Sequence, residues 1–152
     1  PMVILILMFV GGCSGSTTGG MKALRMLVAS KQGVRELHKL LTPNLISYIK
    51  LDNQTIDLEI IKSVFGFIGL FVLTFCVLSI LLSACGLDFK TAISAAAATI
   101  TNAGPGLGEV GPAKNFGDLP NFAKLILSFS MLLGRLEIFT FLVILLPSFW
   151  RK

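Results

Sequence analysis

An all-α integral membrane fold is what this sequence predicts, on three observations. Apolar residues fill 54% of the 152 positions and charged residues only 14%, with a mean hydropathy of +0.84, whereas about a quarter of the residues in soluble domains are charged. One uncharged run, residues 63–84 (SVFGFIGLFVLTFCVLSILLSA), meets the roughly 20 residues needed to cross a hydrocarbon layer about 30 Å thick. Two further apolar runs stop well short of that length, and each leads at once into a glycine-rich stretch.

The first of these short runs, PMVILILMFV, opens the chain and ends at GGCSGSTTGGMK, residues 11–22. It is too short to span, so it is predicted to enter the membrane as a half-helix and return as a loop. Non-helical backbone at that depth is tolerated only where protein or a wet cavity surrounds it. A basic segment follows, with Lys22, Arg25, Lys31, Arg35, Lys39 and Lys50 against the single acid Glu36, which places it on the cytoplasmic side. Within it KQGVRELHKLLTPNLISYIK reads as a helix ended near Pro43, and His38 as an ordinary solvated side chain.

Residues 63–84 then cross the membrane. FKTAISAAAATIT, residues 89–101, is the second half-length run, and TNAGPGLGEVGP its loop. Around that loop Lys90, Lys114 and Lys124 balance Asp88, Glu109 and Asp118, the neutral pattern of an outer segment. Residues 122–149 (FAKLILSFSMLLGRLEIFTFLVILLPSF) form the last long apolar run, with Arg135 and Glu137 near its centre. Either charge is costly there unless it faces protein or water. Glu137 lies about 200° round the helix from Arg135 and is not its natural partner. Pro147, Phe149, Trp150, Arg151 and Lys152 read as helix stop, aromatic belt and cationic flank.

The two glycine stretches carry the chemistry. Setting Cys13, Ser14 and Gly15 over Asn102, Ala103 and Gly104 also sets Gly19 over Gly108. In both copies a half-helix aims its C-terminal end, about half a negative charge, at a loop whose glycines free the backbone carbonyls to point inward. That combination binds a dehydrated cation; the plainer alternative is that both stretches are interhelical turns. GSTTGGMK fails the phosphate-loop pattern, because Met21 stands where Lys is required. GLGEVG matches GxGxxG without a surrounding βαβ unit. Cys13, Cys76 and Cys85 have neither metal spacing nor an even count, and no basic stripe interleaved with aromatics points to nucleic acid.

GGCSGSTTGGMKALR, TNAGPGLGEVGPAKNF and MLLGRLEIFTFLVILLPSFWRK resemble the third pore loop, fourth pore loop and last helix of the TrkH family, membrane subunits of the Trk/Ktr/HKT superfamily of potassium transporters. The likeness covers nearly the whole chain. It implies helix, pore-loop, helix repeats of a potassium-channel-like pore, four around one ion path, with one filter glycine in each. Residues 1–57 would then be the end of the third repeat: pore helix, filter loop, broken second helix and cytoplasmic helix. Residues 58–152 would be the fourth repeat, and the first two lie outside this chain, which is then a fragment or the product of a truncated gene.

By the same resemblance Gly15 and Gly104 are filter glycines, with Cys13, Ser14, Ser16, Asn102 and Ala103 as filter neighbours. K⁺ is the transported ligand, held by the backbone carbonyls of Cys13, Ser14, Gly15, Asn102, Ala103 and Gly104, with no cofactor and no enzymatic reaction. Gating falls to a break in the second helix at residues 28–33, to Lys22 and Arg25 approaching the pore, and to Arg135 below the filter; the alternative for Arg135 is a buried structural ion pair. The resemblance further implies a homodimer, a cytoplasmic nucleotide-binding regulatory ring of the TrkA type, and several crossings of a bacterial inner-membrane lipid bilayer. Two other readings stay open: a sodium-permeable or cation-coupled symport relative, and a non-conducting membrane remnant or regulatory subunit.

Overall fold

The longest helix carries the clearest physical signature. It runs from Leu58 to Ala84 over 27 residues, about 40 Å at about 1.5 Å per residue, and so outreaches an apolar layer of about 30 Å. Its buried positions, Ile61, Val64, Phe67, Phe71, Leu78 and Leu82, recur at helical spacing and form one stripe. Phe65, Val72, Leu73 and Ile80 are as apolar and are exposed. A helix apolar all round and packed on one side leaves its other faces to lipid or to further membrane helices. It begins before residue 63 because Glu59 and Lys62 extend it beyond the uncharged run.

The computed structural model of the chain describes residues 2–13, 19–42, 50–51, 54–55, 57–112, 114–136, 140, 143 and 150. In order the helices are α1 (Met2–Val10), α2 (Ala23–Leu41), α3 (Leu58–Ala84), α4 (Phe89–Ile100) and α5 (Asn121–Arg135). Single 3₁₀ turns at Gly108–Val110 and Phe116–Asp118 lie between α4 and α5. A ladder of two residue pairs, Lys50–Leu51 against Gln54–Thr55, joins α2 to α3 without altering an all-α architecture. Both half-length runs are helices of the predicted kind, 9 residues in α1 and 12 in α4.

One expectation is overturned. The second helix of the first part is not interrupted at residues 28–33, since α2 continues through them to Leu41. The weakest helix former there is Gly33, whose missing Cβ faces open space. One exposed glycine costs about 1 kcal/mol relative to alanine, and the rest of the segment offsets it. Ser30 Oγ donates to the Leu27 carbonyl at 2.9 Å, and Gln32 Nε2 donates to Glu36 Oε1 at 2.7 Å across one turn. The stop is as predicted, with Thr42 donating to the His38 carbonyl from both backbone and hydroxyl just before Pro43. His38 is exposed on this helix.

The last helix differs as well. Its regular part ends at Arg135, with Leu136 in the C-cap position. Beyond Leu136, Thr140, Val143 and Trp150 have helical backbone, and Glu137 lies outside the described residues.

The core gathers on α4, which packs against α3, α5 and α1. Ala92 and the run Ala95–Ala98 are all within 1% of full burial, because side chains this small let three neighbours reach the helix backbone. Phe9 of α1 adds edge-on contacts with Phe71 and Phe75 of α3, at ring-centroid distances of 6.0 and 5.2 Å. At the α4–α5 crossing Gly134 sits so close that a Cβ would collide with the Ile100 carbonyl and lie 2.8 Å from Asn102 Nδ2. Gly134→Ala is therefore expected to destabilise the protein by about 1–3 kcal/mol. Gly69→Ala, on an open face of α3, should be neutral or stabilise by up to about 1 kcal/mol. Melting curves in detergent micelles check the contrast; equal effects would contradict the packing.

Candidate ion-binding loops

The loop after α4 starts from a specific helix ending. Asn102 N–H donates to the Thr99 carbonyl at 3.1 Å and Ala103 N–H to the Ala98 carbonyl at 3.0 Å. Asn102 itself takes the left-handed conformation, with φ 53°. This is the paired-bond helix stop that requires a left-handed residue just past the end, where asparagine is tolerated. It also removes two of the orphan carbonyls that a helix end would leave inside an apolar layer. Gly104 follows with φ +95° and open space where a Cβ would be. Ala103 and Gly104 are exposed, and no backbone N–H among the described residues donates to the carbonyls of residues 102–104.

The return of this loop is pinned to the side of α4. Ser94 Oγ donates to the Leu107 carbonyl at 2.8 Å, Gly106 N–H donates to the Val110 carbonyl at 2.8 Å, and Glu109 N–H reaches Thr91 Oγ1 at 3.4 Å. Thr99 and Ser130, both fully buried, share a hydrogen bond of 3.1 Å between α4 and α5. Asn102 Nδ2 donates to the Met131 carbonyl at 3.2 Å. The loop, α4 and α5 are thus tied at several points.

The loop after α1 is closed by bonds from its far end. Gly11 is left-handed with φ +66°, Met21 N–H donates back to the Phe9 carbonyl at 3.3 Å, and Ala23 N–H to the Gly12 carbonyl at 3.1 Å. Cys13 is exposed at its start, while Ser14, Gly15 and Ser16 fall outside the described residues. Gly19 meets the other loop, since a Cβ on it would lie 2.7 Å from the Thr101 carbonyl oxygen. The sequence register that set Gly19 over Gly108 does not extend to the backbone. Gly108 has φ +71° and rests on the Thr91 hydroxyl, whereas Gly19 is not left-handed.

The cationic residues are spread around this pair of loops. Lys22 is half-buried with φ 59° at the entry to α2. Arg25 is turned to α3, its guanidinium carbon 4.0 Å from the centroid of the Phe67 ring. Arg135 is exposed at the end of α5, next to the Gly134 contact with α4. Gly134, Ser130 and the side-chain bond of Asn102 escaped the sequence reading. The available signal was the spacing of Ser130 and Gly134, two small residues four apart on one helix face, the pattern that lets membrane helices approach.

The Arg25–Phe67 contact is expected to hold α2 on α3. Phe67→Leu keeps an apolar core residue and removes the ring face, at a cost of about 0.5–2 kcal/mol. Faster hydrogen exchange in α2, with α4 unchanged, is the expected result; unaltered exchange in α2 would remove this role from the contact.

Comparison with known proteins places these loops in context. The family model described as "TrkH: Cation transport protein" matches residues 2–152. The Trk system potassium uptake protein TrkH of Vibrio parahaemolyticus is 47% identical over all 152 residues, which are 31% of its length. The protein of the same description from Escherichia coli K12 is 45% identical over the same span, again 31% of its length, and the Trk system potassium uptake protein TrkI of Halomonas elongata is 48% identical over 147 residues. The crystal structure of the potassium transporter TrkH from Vibrio parahaemolyticus superposes with a TM-score of 0.90, covering 99% of this chain and 32% of that one. The chain therefore spans about a third of the length of these relatives.

Proposed function

This chain belongs to the TrkH family of cation transport proteins, and from that premise we propose that it forms two of the pore loops of a larger membrane subunit that takes up K⁺. The observation that carries the reading is the meeting of two half-length helices through their loops at Gly19 and Thr101, with the left-handed Gly104 and the exposed backbone of residues 103–104 beside the contact. Helix ends of partial negative charge favour a cation at such a point, and carbonyl oxygens take the place of its hydration shell. The filter is assigned to the carbonyls of Cys13, Ser14, Gly15, Asn102, Ala103 and Gly104, with Ser16 adjoining. K⁺ is cargo and no resident cofactor is required.

The basic α2 faces the cytoplasm and the loops around residues 104–120 face outward, in a multi-pass subunit of a bacterial inner membrane. Assembly as a homodimer with a nucleotide-binding TrkA-type ring is part of the same proposal and rests on the family resemblance. Lys22 and Arg135 are assigned to gating. Arg25, engaged with Phe67, would act there through the position of α2.

Gly104 tests the filter. Its φ of +95° with open space at the Cβ position makes the cost of a side chain purely conformational, about 1–2 kcal/mol, or roughly tenfold in an equilibrium constant. Gly104→Ser in the complete transporter is expected to lower K⁺-over-Na⁺ discrimination by about that factor at unchanged membrane insertion. Competitive uptake in proteoliposomes measures it, and full discrimination in the variant would remove Gly104 from the filter.

Arg135 tests the gate. A cation in a partly wet interior repels K⁺ by several kcal/mol at about 4 Å, so Arg135→Ala is expected to raise flux. Tracer uptake at matched protein level decides; unchanged or lower flux would sink the assignment, and lost expression would favour a structural ion pair.

A further inference from the structure

The side chain of Asn102 has no part in the proposed coordination, which uses backbone carbonyls, and yet residues of two other segments converge on it. Its Nδ2 donates to the Met131 carbonyl of α5 at 3.2 Å. The same nitrogen would lie 2.8 Å from a Cβ on Gly134 and 3.1 Å from a Cβ on Gly19. It thus occupies a slot that exists only because glycine stands on both sides, one in α5 and one in the loop after α1. Its own backbone is left-handed, φ 53°, as the helix stop requires, and this directs the side chain into the seam while the chain runs on to Gly104.

We propose that Asn102 is a positioning residue. Its amide fixes the register of the fourth-repeat loop against both α5 and the third-repeat loop, and so sets ion discrimination without touching the ion. The inference rests on the proposed role of residues 102–104 in holding K⁺. The chemistry demands an amide: the slot offers a carbonyl acceptor, so the group must donate, and it must be small enough to fit between two glycines. An aspartate of the same shape turns an acceptor toward the Met131 carbonyl, and repulsion replaces the bond.

The test uses two variants of the complete transporter. Asn102→Asp keeps the shape and reverses the polarity, while Asn102→Gly keeps the left-handed backbone and deletes the tether. The core variant Phe71→Leu is the comparison for general destabilisation, since Phe71 is fully buried in α3. K⁺-over-Na⁺ competition is measured at matched amounts of folded protein, together with hydrogen exchange of the peptides containing Met21 and Ala103, whose amides bond to Phe9 and Ala98.

The expected result is a fall in discrimination of about tenfold in Asn102→Asp, the factor that one lost hydrogen bond of about 1.4 kcal/mol supplies. A smaller fall is expected in Asn102→Gly, faster exchange in both peptides for both variants, and an unchanged ratio in Phe71→Leu. Retained discrimination in both variants of a K⁺-selective protein overturns the inference and leaves the filter proposal standing. If the parent protein shows no K⁺ preference, the filter proposal fails, and the exchange arm still decides: unchanged exchange around Met21 when Asn102 is altered overturns the seam. Should Asn102→Asp fail to accumulate, Asn102→Gly, which adds no atoms, gives both readouts.

Discussion

Everything in this fold depends on ending a helix inside an apolar layer. α4 stops after 12 residues, and carbonyls left open at a helix end within an apolar layer would be costly. The sequence meets that demand with a left-handed Asn102, which lets Asn102 and Ala103 N–H groups return to Thr99 and Ala98. Thr101 adds a hydroxyl bond of 2.7 Å to Ala97. α1 is closed comparably, by a left-handed Gly11 and by bonds from Met21 and Ala23 back to Phe9 and Gly12. At the end of α4 the carbonyls of Ala97, Ala98 and Thr99 are thus engaged, and at the end of α1 that of Phe9.

Packing then follows from the same requirement. A satisfied end must still be surrounded by protein, and α4 can be surrounded because its middle is alanine. The alanines bring α3 and α5 to the backbone, Gly134 brings α5 onto the last turn, and Gly19 brings the first loop onto Thr101. The fully buried Thr99–Ser130 pair gives the Ser130 hydroxyl a partner across the crossing, while Thr99 Oγ1 also donates to the Ala95 carbonyl at 2.8 Å. Close approach is favourable here because lipid competes poorly with shape-matched helix contacts and gives no hydrophobic drive of its own. A single added carbon at Gly134 or Gly19 would separate segments that the loops need together.

Charge is handled by position and by neighbours. The basic residues of α2 lie on a helix that is exposed nearly throughout, where the cytoplasmic surface would hold them. Arg25 reaches inward as far as the Phe67 ring, whose face receives its guanidinium at 4.0 Å. Arg135 ends α5 immediately after the glycine that touches α4, so one short helix links the residue assigned to gating with the loop assigned to coordination.

The fold class, the span at α3, both half-length helices and the loops behind them were legible in the sequence. Each is a matter of how many consecutive residues avoid charge and where glycine interrupts them, and length against a layer of fixed thickness is a local property. The expected break in α2 was misread because glycine and serine weaken a helix without ending it when neighbouring turns hold. The seam around Asn102 could not be read at all, because it joins residue 102 to residues 19, 131 and 134, and nothing local in those segments specifies which carbonyl an amide will meet. Composition decided that this chain suits a membrane and carries two apolar helices too short to cross one, each followed by a glycine-rich loop. Only the tertiary structure decided that the two turns touch, since that contact depends on the absence of side chains at two distant glycines and on three helices arriving at one place together.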